Sequence, residues 1–544
     1  MSSSSADTPA RPVPPRFAHW RWRGALVACA LLFGWAVAQF YEPPYGFTSL
    51  ISIGDMLNST KVTALRQVPH YVYEKSAGYD GAYYVQLALY PTLDNPELKK
   101  AIDNLPYRAR RILFCWVEWL LGLGQPAWIV QAHALLNVLC WFVLAVVLLR
   151  WFPPTDGTNF LRWFGVMFSH GLCMSVRHSL VDGPSLLLVA VAIALVEKGR
   201  RGPGTAVLAL AGLGRETSLL AVAGFAPTDP NVSSAPVWRR PQAWIRLAVT
   251  AVVVALPLLA WTAALFWKLG PADDPAGVGN FGLPLAGLAE KWGTVVARSS
   301  ASGHSPLDWA TLAVTLALTV QWLFFVLRWR PAETWWRVGA AFAVLMTFLS
   351  TPVWEGFPGA GTRVLLPMTL AFNLVVPRGR RWLPVLLAGN LTVLAAWFEF
   401  NPPPRDFVHV VGEGGANVAV QIGPATGWSG SENHDKDRWR WSSGEATLRI
   451  RNDAGTPVIL VVQGRIAAVD NRHVRAFAGE AMVWSGAVGE KPANLQFGCV
   501  VPAGESALRF SSDRPGRHVG QDPRLLAFSV YNLEIVVRPA PVRR

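Results

Sequence analysis

Residues Trp128–Leu149 read WIVQAHALLNVLCWFVLAVVLL. A run of this kind reaches the ~20 apolar residues that carry a helix across a bilayer. The runs Gly24–Tyr41, Ile245–Trp267, Leu307–Leu327, Gly339–Leu349 and Leu383–Phe398 approach or match it. The whole chain agrees: of 544 residues, 52% are hydrophobic, 15% are charged and 26 are Trp. Soluble domains carry about a quarter charged residues, so much of this chain belongs in lipid. The fold class is an α-helical polytopic membrane protein, with about nine to eleven transmembrane helices expected.

The formal net charge is +14, but the basic residues are spread over short loops and form no single stripe. That distribution points to positive-inside loops and anionic headgroups and away from nucleic acid. Clusters at Arg21/Arg23, Arg150/Arg162, Lys198/Arg200/Arg201, Arg239/Arg240, Arg328/Arg330/Arg337 and Arg378/Arg380/Arg381 are taken as cytoplasmic. Segments 25–41, 128–150, 158–176 and 183–197 then alternate across the membrane. So do 243–268, 307–328, 336–353, 361–376 and 382–398. The first is read as an uncleaved helix, although Ala36-Val37-Ala38 superficially offers a cleavage site. Of five cysteines, Cys29, Cys115, Cys140 and Cys173 fall in apolar stretches and Cys499 stands alone, with no disulfide or metal-ligand spacing.

Two segments resist simple spanning. Residues 112–124 are too short and are read as a juxtamembrane helix. Residues 204–225 lie between two basic clusters and carry Gly212-Leu213-Gly214-Arg215-Glu216-Thr217 in their middle. A re-entrant hairpin is the expectation, since broken polar backbone at membrane depth requires protein or water around it. After Pro402-Pro403-Pro404, the short runs Ala446–Ile450, Pro457–Val462, Ala507–Phe510 and Leu526–Val537 alternate in part and are parted by turn residues. They predict a C-terminal all-β sandwich domain of ~130 residues. The expected organisation is a cytoplasmic tail at 1–23, a membrane domain at 24–400 with its first outer loop at 42–127, and the β-sandwich at 405–544.

The outer loop carries the chemistry-bearing candidates. A loop this long is usually functional or disordered, and Tyr71, Tyr73, Tyr79, Tyr83, Tyr84 and Tyr90 argue against disorder. In Gly78-Tyr79-Asp80-Gly81, Asp80 precedes a helix whose Tyr83, Tyr84 and Leu87 share a face. Asp80 is either the N-cap of that helix or a general base, and the two roles are compatible. The loop closes on Asp103-Asn104-Leu105-Pro106-Tyr107-Arg108-Ala109-Arg110-Arg111. Three arginines on the outer side suit a lipid-borne phosphate, with interfacial snorkelling as the plain alternative. Arg177, His178, Asp182, Arg215, Glu216, Glu355 and Arg363 lie near helix ends, where ionisable groups are functional candidates. Arg215 and Glu216 neutralising each other, and Asp182 capping its helix, are the structural alternatives. In the β-domain, Trp428, Trp439, Trp441 and Trp484 suit sugar faces, with packing in the sandwich core as the commoner role of such residues.

Gly78-Tyr79-Asp80-Gly81 with its aromatic helix, then Asp103-Asn104…Pro106-Tyr107-Arg108…Arg110-Arg111-Ile112-Leu113, resembles the first outer loop of bacterial GT-C-type membrane glycosyltransferases. Gly214-Arg215-Glu216-Thr217-Ser218-Leu219-Leu220 is similar to a Lys/Arg-Glu-Thr stretch of such proteins. The resemblance covers roughly residues 20–400. It implies inverting transfer of a sugar from a polyprenyl-phosphate donor, with Asp80 as base. Gly81 follows Asp80 where many relatives carry a second acid, which leaves Asp103 as the second acid of this loop. The donor phosphate falls to Arg108, Arg110, Arg111 and Arg363, the substrate to Tyr83, Tyr84 and Asp103, and support to Arg177, Asp182, Arg215 and Glu216. Trp428, Trp439 and Trp441 are the glycan-binding candidates. The expected partners are a polyprenyl-phosphate sugar, a glycan or lipid acceptor and membrane lipids. No cofactor is specified beyond a divalent cation. The expected location is the bacterial inner membrane, with the N-terminus cytoplasmic and the C-terminal domain periplasmic. The competing class is a non-catalytic transporter or an assembly scaffold for envelope polysaccharide.

Overall fold

The computed structural model describes residues 16–42, 45–73, 76–226, 241–270, 277–300, 305–356, 358–403, 407–413, 419–434, 437–520 and 522–540. The basic pair Arg239/Arg240 used for the topology lies outside them. The chain divides into two compact units. The first comprises Met1–Ala38, Asn104–Phe114 and Leu136–Asn401; the second comprises Gln39–Asp103, Cys115–Leu135 and Pro402–Arg544.

The first unit is helical. Among the described residues of the chain, Trp20–Ala38, Pro126–Arg150, Trp244–Leu269 and Pro306–Leu327 are long and apolar enough to cross a membrane by themselves. A fifth span results if Arg380–Gly389 and Val393–Phe400, bent by 41°, are counted together. The remaining expected spans are shorter or broken. Segment 158–176 is two helices, Gly157–Met167 and His170–Arg177, parted by extended Ser169. Segment 361–376 is likewise two, Gly361–Val364 and Leu366–Val375. Pro367 explains that second break, because its ring tolerates only the first turn of a helix. The sequence pattern marks a break only within 204–225. There the helix Arg201–Gly214 ends at extended Arg215, and 3-10 turns run on over Glu216–Phe225. Polar side chains hold the breaks in place. Asn373 and Asn390 exchange amide bonds of 2.9 and 2.8 Å, and Gln321 donates to the Gly389 carbonyl at 2.7 Å, all at the 41° bend. Such interhelical amides act as glue where the surroundings are apolar.

The second unit contains the β-domain. Its strands are β1 Val408–Gly412, β2 Val420–Pro424, β3 Glu432–His434, β4 Asp437–Ser442, β5 Glu445–Asn452, β6 Val458–Ala468, β7 Arg472–Ala478, β8 Ala481–Val488, β9 Ala493–Val501, β10 Gly504–Ser512 and β11 Phe528–Pro539. One sheet runs β3-β4-β11-β6-β9 with β1 parallel to β11, and the other runs β2-β5-β10-β7-β8. Alternation puts Leu448, Ile450, Leu460, Val462, Leu508, Phe510, Val530 and Ile535 into one buried core. The four runs singled out in the sequence lie on β5, β6, β10 and β11. A bulge in β11, with Asn532 at φ 43°, lets β4 and β1 pair in succession along one side of that strand.

The outer-loop residues of this unit fold into short helices and turns. Lys61 is buried there, bonded to Asn58 Oδ1 at 2.7 Å and His70 Nε2 at 2.9 Å. His70 Nδ1 faces the Val68 carbonyl at 2.7 Å. With that nitrogen donating, Nε2 is the acceptor for Lys61. Burial, reinforced by the Arg451 charge, lowers the Lys61 amine to about 7, and burial lowers His70 to about 3. The unfolded chain therefore binds the Lys61 proton more tightly than the folded one. Stability gained from Lys61 rises as pH climbs from about 7 towards 10.5, and that from His70 rises between about 3 and 6.5. The melting temperature of the detergent-solubilised protein is expected to rise between pH 7 and pH 9. Lys61→Met should flatten that rise and also weaken the lower limb, because the Lys61 charge helps burial to hold His70 low, as measured by thermal unfolding across pH.

Candidate functional site

The Asp80 turn lies in the second unit. Gly78 adopts φ +77°, and a Cβ there would stand 2.8 Å from both Gly54 N and Ser52 O. Only glycine fits that approach. Tyr79 N then donates to Ser52 O at 3.0 Å, and the helix Gly81–Leu89 starts with Tyr83 N donating to Asp80 O at 3.0 Å. Tyr84 and Leu87 are buried, while Tyr83 stays half-buried. Asp80 occupies the N-cap position with helical backbone angles, and its side chain makes no bond to the helix end. The carboxylate is half-exposed. Cys115 Sγ on the Tyr84 carbonyl at 3.6 Å and Trp116 Nε1 on the Pro91 carbonyl at 3.3 Å brace the same helix from the segment 113–121. Asp103 lies in this unit too, on the exposed surface.

The arginines lie in the first unit. Asn104 caps the helix Leu105–Ala109 by accepting from Tyr107 N at 3.0 Å, which sets the outward arginines on one short turn. The guanidinium carbons of Arg108, Arg110 and Arg111 lie 5.7, 5.0 and 4.6 Å from the Tyr107 ring centre. Arg111 also donates to the Tyr107 hydroxyl at 2.9 Å. Glu216 receives Arg111 Nε at 2.9 Å, with Arg110 Nε at 3.7 Å. Arg215, before it in the chain, pairs with Asp182.

Asp182 opens the helix Asp182–Glu197 without bonding its end. It is buried and carries Arg215 on one oxygen and Arg363 Nη1 at 3.7 Å from the other. A polar network shapes its approach. Ser179 takes a positive φ of 50°, Asn137 donates to the Leu180 carbonyl at 2.7 Å, and Ser175 Oγ accepts from Gly183 N at 2.8 Å. Arg363 and Arg177 lie near enough for their charges to act on His178. His178 and His170 reach Glu399 at 3.4 and 3.0 Å, and His170 Nδ1 meets Thr362 Oγ1 at 2.8 Å. Asp182 thus pairs with Arg215 and Arg363, Glu216 with Arg110 and Arg111, and Glu399 with His170 and His178.

His170 and Glu399 were not distinguished in the sequence. Glu399 follows directly on the apolar run Leu383–Phe398, and that position was the only available signal. Glu216 also heads an apolar groove of about 810 Å³. Leu220, Trp244, Leu247, Ala251 and Phe281 are among its walls. Among the described residues no group of three or more His, Cys, Asp or Glu converges as a metal ion needs.

In the β-domain, Trp428 packs against Phe407 at 5.1 Å between ring centres, joins the core, and donates to the Thr447 carbonyl. Trp439 stacks on Tyr531 at 5.2 Å and 29°, half-exposed on the sheet, and Trp441 is also half-exposed.

No protein-family model and no curated protein matches the chain. Among solved structures it is similar to ArnT from Cupriavidus metallidurans in the apo state, at 14% identity and TM-score 0.39, over 68% of this chain and 62% of that one. It is also similar to the arabinosyltransferase EmbB from Mycobacterium smegmatis, at 11% identity and TM-score 0.34, over 97% of this chain and 66% of that one. The chain thus covers less than two thirds of the length of either.

Removing one partner of a buried ion pair costs about 3–5 kcal/mol, because the charge left behind is uncompensated. Asp182→Ala is therefore expected to lower the stability of the solubilised protein by about that amount. Arg363→Met alone should cost less, since Arg215 still serves the carboxylate. Thermal unfolding in detergent checks both.

Proposed function

We propose that the chain is a membrane glycosyltransferase that moves a sugar from a polyprenyl-phosphate donor to a cell-envelope glycan or lipid at the periplasmic face. The observation that carries the reading is the groove headed by Glu216. Its walls are apolar and its Glu216 pairs with Arg110 and Arg111, an arrangement that suits an amphiphile with a long hydrocarbon tail and an anionic head near those arginines. The resemblance of the Asp80, Arg108–Arg111 and Arg215-Glu216-Thr217 motifs to GT-C-type enzymes supports the same class.

In this reading Asp80 accepts the proton of the acceptor hydroxyl while its oxygen attacks the anomeric carbon from the face opposite the phosphate. The anomeric carbon–oxygen bond breaks and its electron pair leaves on the phosphate, so configuration inverts. Arg108, Arg110, Arg111 and Arg363 stabilise the growing phosphate charge, with Glu216 and Asp182 holding the guanidinium groups in place beforehand. Phosphate leaves without help from a strong general acid. A half-exposed carboxylate that does not cap its helix suits the task of a base.

Asp80→Asn is expected to lower transfer at least about 10²-fold, since general-base catalysis contributes ~10²–10⁴-fold. The check is a deletion strain complemented with each variant, scored for surface glycan and for accumulated lipid-linked donor. Full complementation by a folded Asp80→Asn protein sinks the enzyme reading and favours the transporter or scaffold.

A further inference from the structure

The first residue of the Asp80 helix is held by a side chain from the Pro126–Val147 helix. His133 Nε2 lies 3.1 Å from the Gly81 carbonyl oxygen, and His133 Nδ1 lies 2.8 Å from Glu118 Oε2. The two side chains are only 2% and 5% exposed. Each ring nitrogen thus faces an oxygen. The Gly81 carbonyl can only accept, so Nε2 is the nitrogen that donates to it. Nδ1 and Glu118 Oε2 stand at ion-pair distance without hydrogen-bond geometry between them.

We propose that Glu118 and His133 form a positioning dyad for Asp80. Glu118 fixes the proton on His133 Nε2, and His133 pins the Gly81 carbonyl, so the carboxylate one residue earlier is presented in a single orientation. This rests on the reading of Asp80 as the base. The turn is fixed at its start by the Gly78 approach to Gly54 and Ser52, and His133 supplies the hold just past the acid. A plain amide would satisfy the Gly81 carbonyl at less desolvation cost than a buried acid and imidazole. The ionisable pair adds a rigid ring of known tautomer, which a flexible amide does not. His133 does not touch substrate in this account. It acts through Asp80, and a displacement of about 1 Å at a reacting group costs on the order of 10²-fold in rate.

The test uses the full-length protein in membranes of the deletion strain, supplied with that strain's own lipid extract as donor source. His133→Ala is expected to lower the rate at saturating extract by about 10–100-fold, with the half-saturating amount of extract unchanged. His133→Gln, which keeps an N–H within reach of the Gly81 carbonyl, should recover to within about fivefold of wild type. A loss shared equally by His133→Ala and His133→Gln, in proportion to lost folded protein, makes the pair merely structural and overturns the proposal. So does a wild-type rate for His133→Ala beside an inactive Asp80→Asn, which leaves the enzyme reading standing. A wild-type rate for Asp80→Asn removes both readings together. Should His133→Ala fail to accumulate, Glu118→Gln takes its place, with a loss of about tenfold expected and a wild-type rate overturning the dyad.

Discussion

A carboxylate buried among apolar helices survives only if cations meet it, and Asp182 is where that constraint organises the helical unit. Its two arginines come from distant stretches: Arg215 from the break after Arg201–Gly214, and Arg363 from the short helix Gly361–Val364. Each is delivered by irregular backbone that a continuous span would not permit. His170 likewise follows directly on the break at Ser169. The broken helices and the charged cluster are two aspects of one requirement. Non-helical backbone at membrane depth is tolerated where it is covered by protein, and here it carries side chains that need ionic partners.

The arginines fall into two sets by the acid they meet. Arg215 and Arg363 share the buried carboxylate of Asp182. Arg110 and Arg111 share the single carboxylate of Glu216 at the head of the apolar groove, with Tyr107 beneath them.

The sequence made some levels legible and hid others for identifiable reasons. Trp128–Leu149 and the other long apolar runs announce spans because length and composition alone set that signal. Segment 204–225 announces its break through Gly212, Gly214 and an embedded charged pair. The breaks at Ser169 and Leu365 were hidden, since one polar residue or a proline within an apolar run also fits a continuous helix. Adjacency hid the partners that Arg215 and Glu216 find far along the chain. Trp428 and Trp439 could not be told apart from composition. Strand register decided that one joins the Phe407 and Phe510 rings while the other stacks on Tyr531. His133 stood inside the most apolar run of all, and its partner Glu118 lay in a segment too short to be counted as a span.

A single acid in the Asp80 turn departs from the paired acids of the resembling family. A second carboxyl is needed where a leaving group must be protonated. Phosphate already leaves as a stable anion, so the second demand is for positive charge. The counter-charge of Arg110 and Arg111 comes from Glu216, 105 residues beyond Arg111 in the chain. The turn around the one carboxylate is fixed on both sides, by the Gly78 approach to Gly54 and Ser52 before it and by the His133 contact to the Gly81 carbonyl after it.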